Sequence, residues 1–513
     1  MSGEKIKITV FRYNPEEDES PYYKVYEVPF ESGMTVLDTL NYIYENYDGS
    51  LAYVYGCRYG FCGSCALKIN GKPTLICREL ATKEMKIEPL DNFPVVRDLV
   101  INREGLEGRV RGIRPFLERV TLPDKEPEVL KPADFKTFRL VSRCVGCFAC
   151  VSSCPVTSAD SYKFPGPSLL TELARYSFDP RDEGDRTTTA YFEGLFYCAG
   201  CRKCEEVCPY EISVPELIVA PLREQAVARN IEPSVVKEVV RHVLSTGNTL
   251  STLEEDSLIK KLLPLEEAKE ETAKVVFFVG CYVDQDFRLH QVGKSAIEIL
   301  KKNKISVAIP KDQVCCGRPL LESGENKKVE ELVRKNVLAI ESTGIREVVT
   351  VCPGCGLTLK EDYPLIFSRI EGRKPNFEVY DFSEYLLNKV KLDWKKLHKL
   401  DLEVTYHDPC HLNRGQGIHQ QPRQIINSIP GVKLVEMEEP DRCCGGGGVI
   451  KAIDSQLAQI IAKRKAEMIK SLNIKAVITP CPTCMLQINQ GLKLSKVRGV
   501  KVMHLTELLD QAL

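Results

Sequence analysis

Apolar and polar positions alternate with period two at Lys5-Ile6-Lys7-Ile8-Thr9-Val10 and again at Tyr23-Lys24-Val25-Tyr26-Glu27-Val28. That is the pattern of strands with one face on a core. The acidic stretch 14–20 between them predicts a turn, so the pair is expected as a hairpin. Over residues 34–46 the spacing becomes helical, with Val36, Leu37, Leu40 and Ile43 on one face. Another short strand is expected around residues 66–69. Residues 121–132 carry three prolines among charges and predict an exposed connector. Helical spacing dominates from about 135 to 245, and 264–274 predicts a second charged, solvated connector.

The C-terminal half repeats itself. Cys281 and Cys410 are 129 positions apart, Cys315 and Cys443 are 128 apart, and Cys352 and Cys481 are 129 apart. Strand-like runs at 275–279, 348–351, 402–406 and 476–479 lead to the cysteines and alternate with helical stretches at 293–302 and 455–470. Such alternation predicts α/β units with the cysteines at strand ends, where open sheets place ligands. Each copy closes on a similar segment, in which Ser383 or Thr506 is expected as a helix N-cap.

At 513 residues the chain predicts about three or four domains. Its 70 basic and 71 acidic side chains nearly cancel, which gives no electrostatic reason to expect nucleic acid or an anionic membrane as partner. The N-terminus has no apolar secretory region, and no run approaches the length of a membrane span. A cytoplasmic protein without a transmembrane segment is expected. The 22 cysteines change the picture. In a reducing compartment they point to metal or redox chemistry rather than disulfides, and every one falls in a spaced cluster.

Cys57-Arg58-Tyr59-Gly60-Phe61-Cys62-Gly63-Ser64-Cys65, followed by Cys77, has the plant-type C-x4-C-x2-C…C spacing of a [2Fe-2S] cluster. Zinc also accepts four thiolates, but the spacing, the glycines and the preceding hairpin favour iron–sulfur. Cys144-Val145-Gly146-Cys147-Phe148-Ala149-Cys150-Val151-Ser152-Ser153-Cys154-Pro155 and Cys198-Ala199-Gly200-Cys201-Arg202-Lys203-Cys204-Glu205-Glu206-Val207-Cys208-Pro209 are each C-x2-C-x2-C-x3-C-P. Two such runs predict two [4Fe-4S] cubanes with the fourth cysteines crossed. One cubane takes Cys144, Cys147, Cys150 and Cys208. The other takes Cys198, Cys201, Cys204 and Cys154.

The Cys57–Cys65 loop and Pro94-Val95-Val96-Arg97-Asp98-Leu99-Val100 resemble the iron–sulfur subunit of the succinate dehydrogenase and fumarate reductase family. The resemblance covers residues 1 to about 240 and implies a β-grasp [2Fe-2S] domain (1–105) and an α-helical dicluster domain (106–245). It also implies docking on a flavoprotein subunit. The usual member lacks one ligand and holds a three-iron cluster in its last site. Here Cys201 completes the run, which puts a quinone site of the usual type in doubt.

The remaining cysteines form two modules, Cys281, Cys315, Cys316, Cys352 and Cys355, and Cys410, Cys443, Cys444, Cys481 and Cys484. Five thiolates are too many for one tetrahedral zinc. This half resembles the cysteine-rich CCG domain pair of heterodisulfide reductase. The resemblance implies two repeated α/β CCG domains (274–395 and 396–513, after a linker at 246–273). It also implies a noncubane [4Fe-4S] cluster in each, with a substrate disulfide between them. Zinc or a lost cluster in one module is the alternative. The whole is thus expected as a multi-domain α+β protein.

Outside the cysteines, His407 and His411 flank Cys410. They are candidate proton donors or partners to a leaving thiolate, or parts of a structural turn. Arg318, Arg414 and Arg442 lie beside module cysteines. They would suit the sulfonate and phosphate groups of heterodisulfide substrates, or would offset cluster charge. Gly445–Gly448 lacks the lysine of a phosphate-binding loop.

The chain has no dinucleotide-binding glycine motif, so FAD is expected on a separate flavoprotein subunit only. The combined architecture resembles the thiol:fumarate reductase family of methanogens. The resemblance implies oxidation of coenzyme M and coenzyme B thiols to their heterodisulfide while fumarate becomes succinate. Two alternatives remain open. One is a succinate:quinone oxidoreductase whose CCG half is a membrane adaptor. The other is a heterodisulfide-reducing electron module without fumarate. The adaptor reading needs an amphipathic helix, and residues 459–470, with Lys463, Arg464 and Lys465 beside apolar positions, read instead as a helix covering a sheet.

Overall fold

The computed structural model describes residues 4–121, 128–250, 257–266, 273–390 and 392–513. The chain divides into two compact units. The first runs to Cys198 and takes in Arg202–Ile231, and the second comprises Ala199–Cys201 and Glu232–Leu513.

The first unit opens with β1 (Lys5–Arg12), β2 (Tyr22–Pro29), β3 (Ala66–Ile69), β4 (Lys72–Leu75) and β5 (Glu84–Glu88), in the spatial order β2-β1-β5-β3-β4. β1 and β2 form the expected antiparallel hairpin, and β1 runs parallel to β5. The period-two pattern is used as anticipated, with Ile6, Ile8 and Val10 turned inward. The helix Val36–Asn46 buries Val36, Leu37, Leu40 and Ile43, and its N-terminus is closed by a capping box between Thr35 and Asp38. A short ribbon, β6 (Val95–Arg97) and β7 (Val100–Ile101), follows.

No strand lies between 102 and 274 among the described residues. Short helices such as Ala149–Ser152, Pro155–Ala159, Pro167–Ser177 and Lys203–Glu206 take over. Two expectations need correction. Pro132 does not end a connector but opens the helix Pro132–Ser142, because proline's fixed φ suits a first helical turn. Residues 264–266 belong to the helix Leu258–Glu266. Of the two connectors, residues 122–127 and 267–272 lie outside the described residues.

The repeat of the second unit becomes two parallel sheets. β8 (Val275–Phe278), β9 (Val307–Ala308), β10 (Glu347–Thr350) and β11 (Glu378–Asp381) stand in the order β11-β10-β8-β9. β12 (Leu402–Tyr406), β13 (Val432–Leu434), β14 (Ala476–Thr479) and β15 (Lys501–His504) stand in the order β13-β12-β14-β15. Read from opposite edges, the two orders are the same. In each, the connections from the first strand leave in one direction and those from the third in the other. The crevice beyond β8/β10 and β12/β14 is therefore a topological switch point, where open α/β sheets bind ligands.

One apolar core runs through both modules, with Phe277 and Val349 from one sheet, Tyr406 and Ile478 from the other, and Leu508 from the last helix. Polar contacts join them too. The Ser295 hydroxyl donates to the Asp510 carboxylate at 2.9 Å, and the Thr506 hydroxyl donates to the Val292 carbonyl at 3.1 Å. The expected N-caps are displaced. Asp381 and His504 cap the helices Phe382–Asn388 and Leu505–Ala512, each in a capping box with the glutamate three residues on. Strand and helix abut without a linker, so the cap falls on the last strand residue. Ser383 and Thr506 lie in the first turn instead, giving their N–H groups to the cap side chains.

Candidate functional site

The first cysteine loop turns its own amides onto sulfur. Cys57 N–H donates to Cys62 Sγ at 3.4 Å, and the N–H groups of Cys62 and Tyr59 donate to Cys57 Sγ at 3.3 and 3.4 Å. The backbone N–H of Cys57 and the Ser64 hydroxyl pull the Cys62 thiol down to about 6, so thiolate is favoured. Burial pushes its neighbour Cys65, beside Cys77, up to about 12. The loop is pinned by Asp98, which accepts from Arg12 Nε (3.0 Å), Tyr13 N–H (2.9 Å) and Ala52 N–H (2.9 Å). Gly63 makes the closest approach. A Cβ there would stand 2.5 Å from the Val145 carbonyl oxygen and 3.0 Å from the Cys147 backbone, so this loop rests directly on the next cysteine run.

In that run burial raises the thiols of Cys144, Cys147 and Cys150, and each of the three also feels the charge of Cys208. Cys150 feels Cys154 as well. Cys154 caps the helix Pro155–Ala159, its Sγ accepting from Thr157 N–H at 3.5 Å. Around Cys198, Cys201 and Cys204 the same turn recurs. Gly200 and Arg202 have φ of 63° and 60°, matching 61° and 65° at Gly146 and Phe148.

Within the second unit the sulfurs of each module form one connected group. Neighbouring side chains run Cys281–Cys315–Cys316–Cys355–Cys352, and equivalently Cys410–Cys443–Cys444–Cys484–Cys481. The Cys281 and Cys315 sulfurs are 3.9 Å apart, and those of Cys444 and Cys484 are 3.4 Å apart. All ten cysteines line a single cavity of about 380 Å³ at the switch-point crevices. A larger groove of about 750 Å³, lined by Arg288, Lys475 and Lys501 among others, contains no cysteine.

The donor set fits iron–sulfur chemistry. Nine of the ten sulfur-bearing residues are buried. Backbone amides reach the sulfurs, as Gly445 N–H does to Cys443 at 3.3 Å and Cys484 N–H to Cys481 at 3.4 Å. Glycines keep the approach clear, and a Cβ on Gly280 would stand 3.2 Å from Cys355 Sγ. The Thr249 hydroxyl, not anticipated from sequence, lies 2.9 Å from Cys281 Sγ.

The non-cysteine candidates separate. Arg318 and His411 line the cavity. Arg318 is held by Glu322 (3.2 Å) and Asp362 (3.3 Å), and His411 Nε2 is 3.5 Å from Glu322. Arg414 and Arg442 do not line it. Arg414 binds Asp441 through side chain (2.7 Å) and carbonyl (2.9 Å), and Arg442 pairs with Glu439 at 2.7 Å. Carboxylates of the loop before Cys443 hold both, Arg414 from the helix Cys410–Gln416 and Arg442 from the loop itself, so sequence adjacency to a cysteine did not bring them to the cavity. His407 is buried, 1% exposed, and lies behind the cavity wall. Its ring nitrogen and the sulfurs of Cys444 and Cys484 all fall within 4.8 Å of one another. Burial holds its pKa below the ordinary histidine value, against the pull of Cys444. Residues 459–470 fall in the helix Ser455–Lys470, and Lys465 lies fully buried in it among Ile461, Ala462, Ala466 and Ile469. Among the described residues no helix is long and apolar enough to cross a membrane.

Three family descriptions match the chain: a 2Fe-2S iron-sulfur cluster binding domain over 7–107, a 4Fe-4S dicluster domain over 140–212, and a cysteine-rich domain over both 275–360 and 404–489. Together with the sites above they define an iron–sulfur oxidoreductase component with a duplicated cysteine-rich half. The chain is 38% identical over 508 residues, 99% of each protein, to a subunit of the fumarate reductase (CoM/CoB) of Methanothermobacter marburgensis. It belongs to that family of CoM/CoB fumarate reductase subunits. It is also 29% identical to a subunit of the dihydromethanophenazine:CoB–CoM heterodisulfide reductase of Methanosarcina acetivorans, over 72% of this chain and 93% of that one. Identity to the fumarate reductase iron-sulfur subunit of Mycobacterium tuberculosis is 35%, over 40% of this chain and 87% of that one. A crystal structure of a hypothetical protein from Helicobacter pylori, 13% identical, shares the fold with a TM-score of 0.63 over 100% of this chain and 95% of that one.

Proposed function

We propose that this chain oxidises two thiols in the cavity between its cysteine-rich modules and sends the electrons to a flavoprotein subunit that reduces fumarate to succinate. The observation that carries the reading is the convergence of all ten module cysteines on one cavity. The relatives' names supply the substrates, the coenzyme M and coenzyme B thiols. Two thiols lose two protons and two electrons as one S–S bond forms, and fumarate takes up the same number of each.

On this reading Cys57, Cys62, Cys65 and Cys77 hold a [2Fe-2S] cluster, and the two crossed sets hold [4Fe-4S] cubanes. Each five-cysteine module holds a noncubane [4Fe-4S] cluster. When bound, these clusters supply one-electron carriers. The chain's own side chains prepare the thiols. His411, facing the cavity with Glu322 behind it, receives a thiol proton, since thiolate is the reactive form. Arg318 offers a guanidinium to an anionic substrate group. Burial of the sulfurs keeps water from the reacting pair.

Anaerobic copurification with the flavoprotein subunit tests this. The expected result is thiol oxidation that depends on fumarate, with about 18 iron per chain from 2, 8 and 8 in the three cluster types. Quinone reduction in membranes, or a complex without fumarate activity, would favour the two alternatives instead. About ten iron with zinc would remove the thiol chemistry.

A further inference from the structure

The two cysteine modules share a scaffold but not their surroundings. Across the 129-residue offset, Phe278 corresponds to His407 and Asn336 to Lys465. The correspondence holds in the fold, because buried Leu332, Val333 and Val337 around Asn336 recur as Ile461, Ala462 and Ala466 around Lys465. In the first module Asn336 accepts from Val314 N–H at 2.8 Å and donates to the Cys315 carbonyl at 3.1 Å. Phe278 is wholly buried and apolar. The donor at Cys281 is the neutral Thr249 hydroxyl, and the Arg318 guanidinium beside Cys316 is offset by the carboxylates of Glu322 and Asp362. In the second module the Lys465 ammonium donates to the carbonyls of Glu439 (2.5 Å) and Pro440 (3.1 Å), in the loop leading into Cys443. His407 stands against Cys444 and Cys484, with its Nδ1 buried and unpartnered.

We infer that the modules are inequivalent electron sites, and that an electron reaching the pair resides on the C-terminal one, which His407 and Lys465 surround with a ring nitrogen donor and a cation. This rests on the reading that both modules hold clusters. A buried cation attracts added negative charge with little screening by salt. A donor to a ligand sulfur draws charge from the cluster and raises its potential. Lys465 stays mostly charged at neutral pH although burial brings it down to about 8. With a cluster in each module, His407 and Lys465 would make the C-terminal one the stronger electron acceptor of the two.

The test is a redox titration of the holoenzyme followed by electron paramagnetic resonance, after iron, sulfide and zinc have been counted. His407→Phe and Lys465→Asn install what the first module carries. The upper noncubane midpoint should fall in each variant by enough to change the electron's partition tenfold, about 59 mV for a one-electron couple. The lower midpoint should stay in place. A full cluster complement with both midpoints unmoved, or a shift confined to the lower one, overturns the inference. Zinc in place of iron in the wild-type C-terminal module defeats the cluster reading instead. Should a variant fail to take up iron, wild-type protein with isotope-labelled histidine decides. Nitrogen coupling on the upper-midpoint signal supports the assignment, and coupling on the lower signal or on neither overturns it.

Discussion

The His504 imidazole reaches out of the second sheet to the carbonyl of Val351, one residue before Cys352 in the first, at 3.1 Å. Its Nδ1 accepts from Thr506 N–H, so Nε2 carries the proton and donates it. One ring therefore caps a helix and ties a ligand-bearing loop of one module to the other.

Burial pushes His504 down to about 4, and it pushes Asp381, the equivalent cap, up to about 6. Between pH 6.5 and 4 the unfolded chain binds a proton at residue 504 that the folded chain refuses, so stability falls on acidification by an amount on the order of 3 kcal/mol. Asp381 acts oppositely, since the folded chain holds the extra proton as pH drops through 6. Relative to wild type, His504→Asn should flatten the loss of stability from pH 7 to 5, and Asp381→Asn should steepen it. Anaerobic denaturant titrations across that range read both slopes.

Gly63 sits at φ 70° with the Val145 carbonyl where a side chain would begin. Gly63→Ala should cost about 2 kcal/mol or more, from left-handed strain and backbone displacement. It should also lift the first cysteine loop from the second run. The check is the magnetic broadening of the [2Fe-2S] signal by the reduced neighbouring cluster, which should weaken. An unchanged signal would contradict the close approach.

The Arg12 and Asp98 side chains are 6% and 2% exposed. Asp98→Asn leaves a buried guanidinium with less compensation, and a loss of about 3 kcal/mol is expected. Iron bound at Cys57–Cys77 should fall with it, because Asp98 also holds Ala52 at the start of that loop. Denaturation followed at the [2Fe-2S] absorption band measures both effects.

Arg318 and Arg414 should respond differently. Arg318→Gln should raise KM for an anionic thiol about tenfold, equivalent to about 1.4 kcal/mol, with iron content intact. Arg414→Gln should leave KM unchanged and lower thermal stability. Steady-state kinetics beside calorimetry separate the two, and equal KM for both variants would remove Arg318 from substrate binding.

Much of this was legible in the sequence. The hairpin, the strand Ala66–Ile69 and the parallel modules follow from local periodicity, which depends only on neighbours along the chain. That the ten module cysteines share one cavity accords with their repeated spacing. What escaped depended on contacts between distant segments. The caps moved to Asp381 and His504 because strands run straight into helices. Spacing identifies a helix covering a sheet at 459–470, but not that Lys465 lies on its inward face, where the carbonyls of Glu439 and Pro440 receive it. Arg414 and Arg442 were drawn off by Asp441 and Glu439, which no spacing rule anticipates.

The continuous apolar interior behind both parallel sheets binds the fate of the two copies together. Removing either copy would expose apolar side chains of the other to water, so packing as well as chemistry holds the pair together. The differences between the copies, such as His407 against Phe278 and Lys465 against Asn336, lie beneath the sulfurs, while the interior behind both sheets is held in common.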